Sequence, residues 1–237
     1  SSVTRIYFPA DANTLLSMAD HCFRSQNYVN VIVCDKQSHP QFVPIEKATQ
    51  YCAEGVSIWD WASCEGEPDV VLAGCGDIVT FEVLAAVDIL RRYTPELKVR
   101  LVNVIDLFRL SSEDTHGHGL TDDEFIRIFT ADKPVVFNYH GYPYLIKRMI
   151  ADRSNNLNFS VHGYVEKGSI NTPLELAIQN GVDRFTLAID ALTQVATSKT
   201  QYINVINKLK QRRLVCQDYA YAHGVDLAEE ANWKWPH

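Results

Sequence analysis

The chain has no excess of positive charge. Its 237 residues include 22 Lys and Arg against 29 Asp and Glu, which gives a formal net charge of −7. Because broad binding to nucleic acid or to an anionic membrane needs a basic surface, we predict neither partner. A small anionic substrate is still compatible with this charge, since one or two well-placed cations are enough to bind a phosphate.

Long apolar runs are also absent. No run approaches the roughly 18 residues that span a bilayer, and charged residues interrupt the first thirty positions, so we predict neither a membrane span nor a signal peptide. The cysteines form no C-x-x-C pair, which predicts reduced core thiols in a cytoplasmic protein and no zinc site. They are Cys22, Cys34, Cys52, Cys64, Cys75 and Cys216.

Common catalytic and nucleotide-binding motifs are missing as well. There is no G-x-S-x-G, no G-x-x-x-x-G-K-[ST] and no H-E-x-x-H. The segment from Gly74 to Asp77 follows a strand and opens a helix, but Val79 replaces the third glycine of G-x-G-x-x-G. We therefore predict a tight strand-to-helix turn here and keep an anion site as the alternative.

Short apolar strands alternate with amphipathic helices along the whole chain. This alternation predicts an α/β fold, a doubly wound and mostly parallel sheet with helices on both faces. A first β-α-β unit precedes it, with Asp11 as helix N-cap and an apolar strand, Val29–Cys34, expected to be buried on both faces. We predict a β-α-β unit at 1–37 that is the tail of a neighbouring domain, a linker at 38–48 and a C-terminal α/β domain at 49–237.

The end of that apolar strand carries the first candidate site residue. Val31–Cys34 stops at a polar turn that contains Lys36 and Gln37. Open parallel sheets bind ligands beyond the carboxyl ends of their strands, and a lysine ammonium can meet a phosphate there as a point charge. Lys36 is thus the leading candidate, with a solvated surface lysine as the alternative, and Gln37 is a weaker one.

Histidines in two loops give further candidates. His140 follows another predicted strand and is a weaker site candidate, because it could titrate near neutral pH or merely hydrogen-bond the backbone. His116 and His118 flank a glycine, and we expect them in an exposed loop, with a metal site as the minor alternative. At the other end of the chain, Trp233 and Trp235 are expected to dock on a protein surface.

Several motifs in combination resemble those of phosphoketolases from Arg5 to Trp235. They are F-P-A-D-A-N-T-L-L from Phe8, V-I-V-C-D-K-Q from Val31, I-W-D-W-A-S from Ile58, H-G-Y-P from His140 and N-W-K-W from Asn232. The resemblance implies the C-terminal part of the enzyme, with a fold similar to the transketolase C-terminal domain and the tail of the pyrimidine-binding domain before it.

The resemblance also implies a function for the complete enzyme. Phosphoketolases use thiamine diphosphate and Mg²⁺ to cleave xylulose 5-phosphate with inorganic phosphate, which yields acetyl phosphate and an aldose phosphate; fructose 6-phosphate is a further candidate substrate. Lys36 matches a family lysine that contacts the substrate phosphate. The resemblance further implies a homodimer whose other domains hold the cofactor, so that this chain has no catalytic residue, binds no cofactor and is inert alone.

Two other functions are compatible with the residues. A purely structural or regulatory dimerisation module would need no role for Lys36. A nucleotide-binding oxidoreductase domain would need a complete phosphate-binding loop, which the segment from Gly74 to Asp77 does not provide.

Overall fold

The computed structural model describes residues 2–36, 38–165, 168–198 and 200–236. The uncharged run Val70–Cys75 forms a strand that is buried at every position. Such a strand is stable only where other elements cover both of its faces. It is the central strand, β4, of a five-stranded sheet.

The larger sheet is parallel except at one edge. Its strands lie in the order β3-β5-β4-β6-β7, and only β3 pairs antiparallel to its neighbour. The bounds are β3 Val56–Ile58, β4 Val70–Cys75, β5 Val99–Val104, β6 Val135–Tyr139 and β7 Phe159–Gly163. The chain runs from β4 to β5 and then crosses to β6 on the other side of β4. The gap between the carboxyl ends of β4 and β6 is therefore the topological switch point of the sheet.

Helices cover both faces of this sheet, as the alternation predicts. Leu72 of β4 belongs to an apolar cluster with α3, α7 and α8, whereas the adjacent Val71 belongs to a second cluster with α4 and α5. The helices that follow the first β-α-β unit are α2 Ile45–Glu54, α3 Asp77–Tyr93, α4 Asp122–Phe129, α5 Pro143–Met149, α6 Pro173–Asn180, α7 Arg184–Val195, α8 Ile203–His223 and α9 Ala228–Ala231. In the described part of the chain, no helix has the length and apolarity that crossing a membrane requires.

The N-terminal unit forms a small parallel sheet of its own. Strands β1 (Thr4–Tyr7) and β2 (Val29–Ile32) pair in parallel on either side of α1 (Ala12–Arg24). The expectation that β2 is buried on both faces is wrong, because Val29 and Val31 are 58% and 41% exposed. Among the described residues, β1 is the only strand beside β2, so this small sheet leaves much of β2 uncovered.

The connection between the two sheets is tied to the cap of α1. Asp11 caps α1 by accepting from Thr14 N–H at 2.8 Å, which confirms the predicted N-cap. Its other oxygen accepts from the backbone N–H groups of Phe42 and Val43 at 2.9 and 3.0 Å. The predicted linker, 38–48, is irregular only up to Pro44, because α2 begins at Ile45. The division into domains at this point stays a prediction.

The C-terminal tryptophans dock on the α/β domain, as expected. The Trp233 ring nitrogen donates to the Asp88 carboxylate of α3 at 2.8 Å. The Trp235 ring meets Trp61 edge-on, with 5.3 Å between the ring centroids. Burial of an indole costs little free energy when its N–H donates to an acceptor, so the tail is part of the packed fold.

Candidate functional site

The switch point between β4 and β6 brings a carboxylate and a histidine together. β4 ends at Cys75, the next residue, Gly76, has a φ of +122°, and Asp77 is the first residue of α3. A Cβ atom at position 76 would lie 2.5 Å from Cβ of His140, the residue that follows β6. Glycine is needed at this position because it adopts the positive φ and lets His140 approach.

The Asp77 carboxylate is the centre of this arrangement. The side chain is buried, and it accepts from the backbone N–H groups of Ile78 at 2.8 Å and Asp35 at 2.5 Å. Nδ1 of His140 lies 3.3 Å from the same carboxylate, an ion-pair distance without good hydrogen-bond angles. A single carboxylate therefore connects the ends of β2, β4 and β6.

The segment Cys34–Lys36, which we call the lysine turn, is fixed at its backbone. Asp35 accepts from the Lys36 N–H at 2.6 Å, and its second oxygen lies 2.7 Å from Nε2 of His39. The Lys36 side chain is exposed, and its ammonium pairs with no carboxylate among the described residues. A cation on an anchored backbone, with no acidic partner, is suited to bind an anion from solution.

Asp77 is held in its ionised form. Burial alone would raise the pKa of its carboxyl, but the adjacent His140 imidazole and the hydrogen bonds from the N–H groups of Asp35 and Ile78 outweigh burial and lower the pKa. This carboxylate sits at the positive end of the α3 dipole, where a bound phosphate would otherwise lie. The prediction of a tight turn over Gly74–Asp77 is confirmed, and the alternative of an anion site at this helix end is opposed by the resident negative charge.

Two predicted site residues thus follow strand ends that Asp77 connects. Lys36 comes directly after Asp35, whose backbone N–H donates to Asp77, and His140 lies 3.3 Å from the same carboxylate. Gln37 lies outside the described residues. Asp77 itself was missed as a functional candidate, because the sequence shows it only as part of an incomplete glycine motif. The signal that could have found it is a carboxylate at the first position of a helix directly after a buried strand.

The loop with His116 and His118 is packed against the protein, so the expectation of an exposed loop is wrong. His118 Nδ1 lies 2.7 Å from the Asp106 carboxylate, and Arg5 Nε donates to His118 Nε2 at 2.9 Å. The His116 ring is 8% exposed and stacks on Phe108 with 4.0 Å between centroids. The loop is packed because both imidazoles contact residues of other elements. Through His118 it bridges Arg5 of β1 and Asp106 after β5.

Comparison with known sequences identifies the family. The family model described as "XFP C-terminal domain" matches residues 36–235, and the model described as "D-xylulose 5-phosphate/D-fructose 6-phosphate phosphoketolase" matches residues 1–25. The chain belongs to the phosphoketolase family. It corresponds to the C-terminal part of a phosphoketolase.

Curated relatives align with the whole chain. A probable phosphoketolase of Methylococcus capsulatus is 54% identical over 238 residues, which cover 100% of this chain and 29% of the relative. Probable phosphoketolase 1 of a Nostoc species is 53% identical over 243 residues, covering 100% and 30%. The corresponding Brucella abortus protein is 44% identical over 237 residues, covering 99% and 30%. The chain thus spans less than a third of the length of these relatives.

Solved structures show the same fold at low sequence identity. A transketolase of Pichia stipitis, in complex with sedoheptulose 7-phosphate, gives a TM-score of 0.61 at 15% identity and covers 81% of this chain and 25% of that one. A transketolase of Leishmania mexicana gives 0.54 at 13% identity, with the same coverage. These likenesses confirm the predicted transketolase C-terminal-domain-like α/β fold.

The described residues of this chain do not fit a site for thiamine diphosphate and Mg²⁺. No group of three His, Cys, Asp or Glu side chains in the described residues is placed to share a metal ion. Gly76 and Asp77 form the Gly-Asp pair that most resembles a diphosphate-binding motif. The Asp77 carboxylate is already occupied by two backbone N–H groups and by His140.

Proposed function

We propose that this chain is the substrate-phosphate-binding C-terminal part of an enzyme that cleaves xylulose 5-phosphate with inorganic phosphate. The products are acetyl phosphate and an aldose phosphate, and fructose 6-phosphate is a further candidate substrate. Thiamine diphosphate and Mg²⁺ supply the carbon–carbon cleavage chemistry in the complete protein, and polypeptide outside this chain holds them. Membership of the phosphoketolase family supports the reaction class.

The observation that carries the proposal is the state of Lys36. Its backbone is anchored by Asp35, its side chain is exposed, and its ammonium has no carboxylate partner among the described residues. It lies at the carboxyl end of β2, beside the switch point of the larger sheet. We propose that Lys36 binds the phosphate group of the sugar. His140 acts on Lys36 indirectly, by holding the Asp77 carboxylate. Gln37 is a weaker candidate for binding the same phosphate.

The remaining expectations concern assembly. We propose a cytoplasmic homodimer in which this chain is joined to the other domains of the same polypeptide. The chain alone is expected to be catalytically inert, because its described residues do not form a site for thiamine diphosphate and Mg²⁺. Isothermal titration of the isolated chain with thiamine diphosphate and Mg²⁺ tests this point, and micromolar binding would contradict it.

The test of the phosphate contact measures acetyl phosphate, trapped as its hydroxamate, over a range of ketose phosphate. Lys36→Met in the complete enzyme should raise KM about 10- to 100-fold, the loss of one charge-assisted hydrogen bond, and lower kcat less. The contact is made in the ground state and the transition state alike, which is why KM changes most. Lys36→Arg should keep part of the affinity, because the charge remains.

The matched control is Lys210→Met, which removes an exposed lysine on α8. Its KM should equal that of the wild type. If Lys36→Met also matches the wild type, Lys36 is a surface lysine and the chain is an assembly module. If the wild type forms no acetyl phosphate, the proposed reaction is wrong.

A further inference from the structure

We propose that Asp77 is a positioning residue that aims Lys36 by fixing the backbone of the lysine turn. The inference rests on the proposed role of Lys36 and adds a residue to it. Asp77 and Asp35 are 42 positions apart in the chain, and their bond joins α3 of the larger sheet to the end of β2 in the smaller one. Through this bond, the Asp77 carboxylate fixes the backbone position from which the Lys36 side chain extends.

The lysine turn has few other anchors. The last ladder bond of the small sheet is from Val33 N–H to the Tyr7 carbonyl at 2.9 Å, one residue before the turn begins. The Asp35 side chain bonds only within its neighbourhood, to Lys36 N–H and His39. Among the described residues, the bond from Asp35 N–H to Asp77 is the one that ties residues 34–36 to another element. Without it, the turn is held by local contacts alone.

His140 fixes the carboxylate from the opposite side. Its backbone N–H donates to the Cys75 carbonyl at 3.0 Å, which holds the residue at the end of β6 beside β4. Its ring packs edge-on against Tyr164, with 5.8 Å between centroids, and places Nδ1 3.3 Å from Asp77. The close approach depends on Gly76, as described above. The Asp77 side chain is therefore confined between His140, its own helix and the lysine turn.

The consequence for binding follows from geometry. Lysine has four side-chain carbons and samples many conformers, so the position of its Cα decides how often the ammonium meets a phosphate held elsewhere in the active site. Release of the Asp35 N–H would let the Cα of Lys36 move. The result should be weaker substrate binding with little change in the chemical step, which a residue that only stabilises the fold would not produce.

The test compares Asp77→Ala and Asp77→Asn in the complete enzyme, with hydroxamate detection. Asp77→Ala should raise KM for the ketose phosphate on the order of tenfold while kcat changes less than about twofold. Asp77→Asn should restore part of the loss, because the amide oxygen still accepts from Asp35 N–H. In the double variant with Lys36→Met, the second substitution should raise KM hardly any further. An ammonium that is no longer held in position contributes almost as little to binding as one that has been removed.

The control is Asp190→Ala, which removes another part-buried carboxylate paired to a histidine, His162, away from the lysine turn. It should lower stability and leave KM unchanged. An unchanged KM in Asp77→Ala, or full additivity with Lys36→Met, would overturn the inference while Lys36→Met alone still reports on the proposed function. If Lys36→Met has no effect either, the proposed function fails first.

Amide hydrogen exchange in the wild-type complete enzyme covers the case in which Asp77→Ala does not fold. The Asp35 amide should exchange at least about tenfold more slowly than the Ser38 amide, because a buried carboxylate accepts its hydrogen. Exchange of both amides at the same rate would show that the anchor is absent and would overturn the inference.

Discussion

The Glu82 carboxylate and the Arg184 guanidinium form a two-pronged ion pair in the core, although 102 residues separate them in the chain. Arg184 Nη2 donates to Glu82 Oε1 at 2.6 Å and its Nε donates to Oε2 at 2.9 Å. Both side chains are about 95% buried, with 4% and 5% exposed. Burial alone would lower the pKa of Arg184, but the neighbouring Glu82 outweighs burial and raises it, so the guanidinium keeps its charge. It fastens α3 to the start of α7.

Breaking this pair should be costly. Arg184→Met leaves the Glu82 carboxylate buried without its partner, and we expect a loss of about 3 to 5 kcal/mol in the free energy of unfolding. Urea unfolding of this chain measures it. The control is Arg24→Met, whose pair with Asp20 is exposed and spans one turn of α1; it should cost about 0.5 kcal/mol or less. Equal losses of unfolding free energy in Arg184→Met and Arg24→Met would show that the buried pair stabilises the fold no more than the exposed one.

Local signals predicted much of the fold. The run Val70–Cys75 became the central strand because an uncharged strand must be covered on both faces. Thr121 and Glu124, at the T-x-x-E spacing typical of a capping box, form one at the start of α4, with Thr121 accepting from Glu124 N–H at 3.2 Å. The predicted turn after β4 and the helix that follows it are also present. These features depend on residues close together in the sequence, which is why pattern reasoning finds them.

The contacts that build the candidate site could not be predicted in this way. Asp77 meets Asp35 from 42 positions away, and His118 meets Arg5 from 113 positions away. No periodicity or spacing within one element carries that information, because the topology of the sheet decides which strand ends become neighbours. The exposure of β2 was missed for a similar reason, since burial depends on which elements lie beside a strand.

Substitution of Gly76 should disturb both the fold and the site. Gly76→Ala combines a φ of +122° with a Cβ that would lie 2.5 Å from Cβ of His140, so either β6 or the turn must move. We expect a loss of at least about 2 kcal/mol in the free energy of unfolding, from backbone strain and steric overlap together. Thermal and urea unfolding measure it. Gly117→Ala is the control, because nothing lies within 4 Å of its added Cβ and it should be neutral.

The thiols should differ in reactivity. Cys34 is exposed, directly before Asp35, whereas Cys75 and Cys216 are buried. Burial raises the pKa of Cys75 well above its ordinary value, with a smaller contribution from Asp106, and raises that of Cys216 to about 12. Since the thiolate is the reactive form, an aromatic disulfide reagent should label Cys34 in the folded chain and reach the two buried thiols only after unfolding.

Two variants assign the thiol phases. Cys34→Ser should remove the fastest phase of labelling, and Cys216→Ser should leave it intact. A fast phase that survives Cys34→Ser would show that another thiol is the accessible one. The assignment would also make Cys34 a chemical reporter within the lysine turn.

Asp190 should make stability depend on pH in the acid range. Its carboxylate lies 2.7 Å from Nε2 of His162 on β7 and accepts from Gln194. Burial alone would raise the pKa, but hydrogen bonding from His162 and Ser160, together with the charge of His162, lowers it below its ordinary value of 3.8. A carboxyl whose pKa is lower in the folded state stabilises the fold at pH values above its unfolded pKa. That contribution is lost as the pH falls through the folded pKa.

The measurement compares wild type with Asp190→Asn by urea unfolding at intervals from about pH 3 to 6. The wild type should be more stable above pH 3.8, and the difference should shrink below it as the carboxylate of Asp190 takes up a proton. Thr193→Ser, a neutral exchange at an exposed position of α7, should leave the pH dependence as it is in the wild type. A difference between wild type and Asp190→Asn that stays constant over the whole range would show that the carboxyl titrates alike in the folded and unfolded chain, and that His162 does not hold its charge.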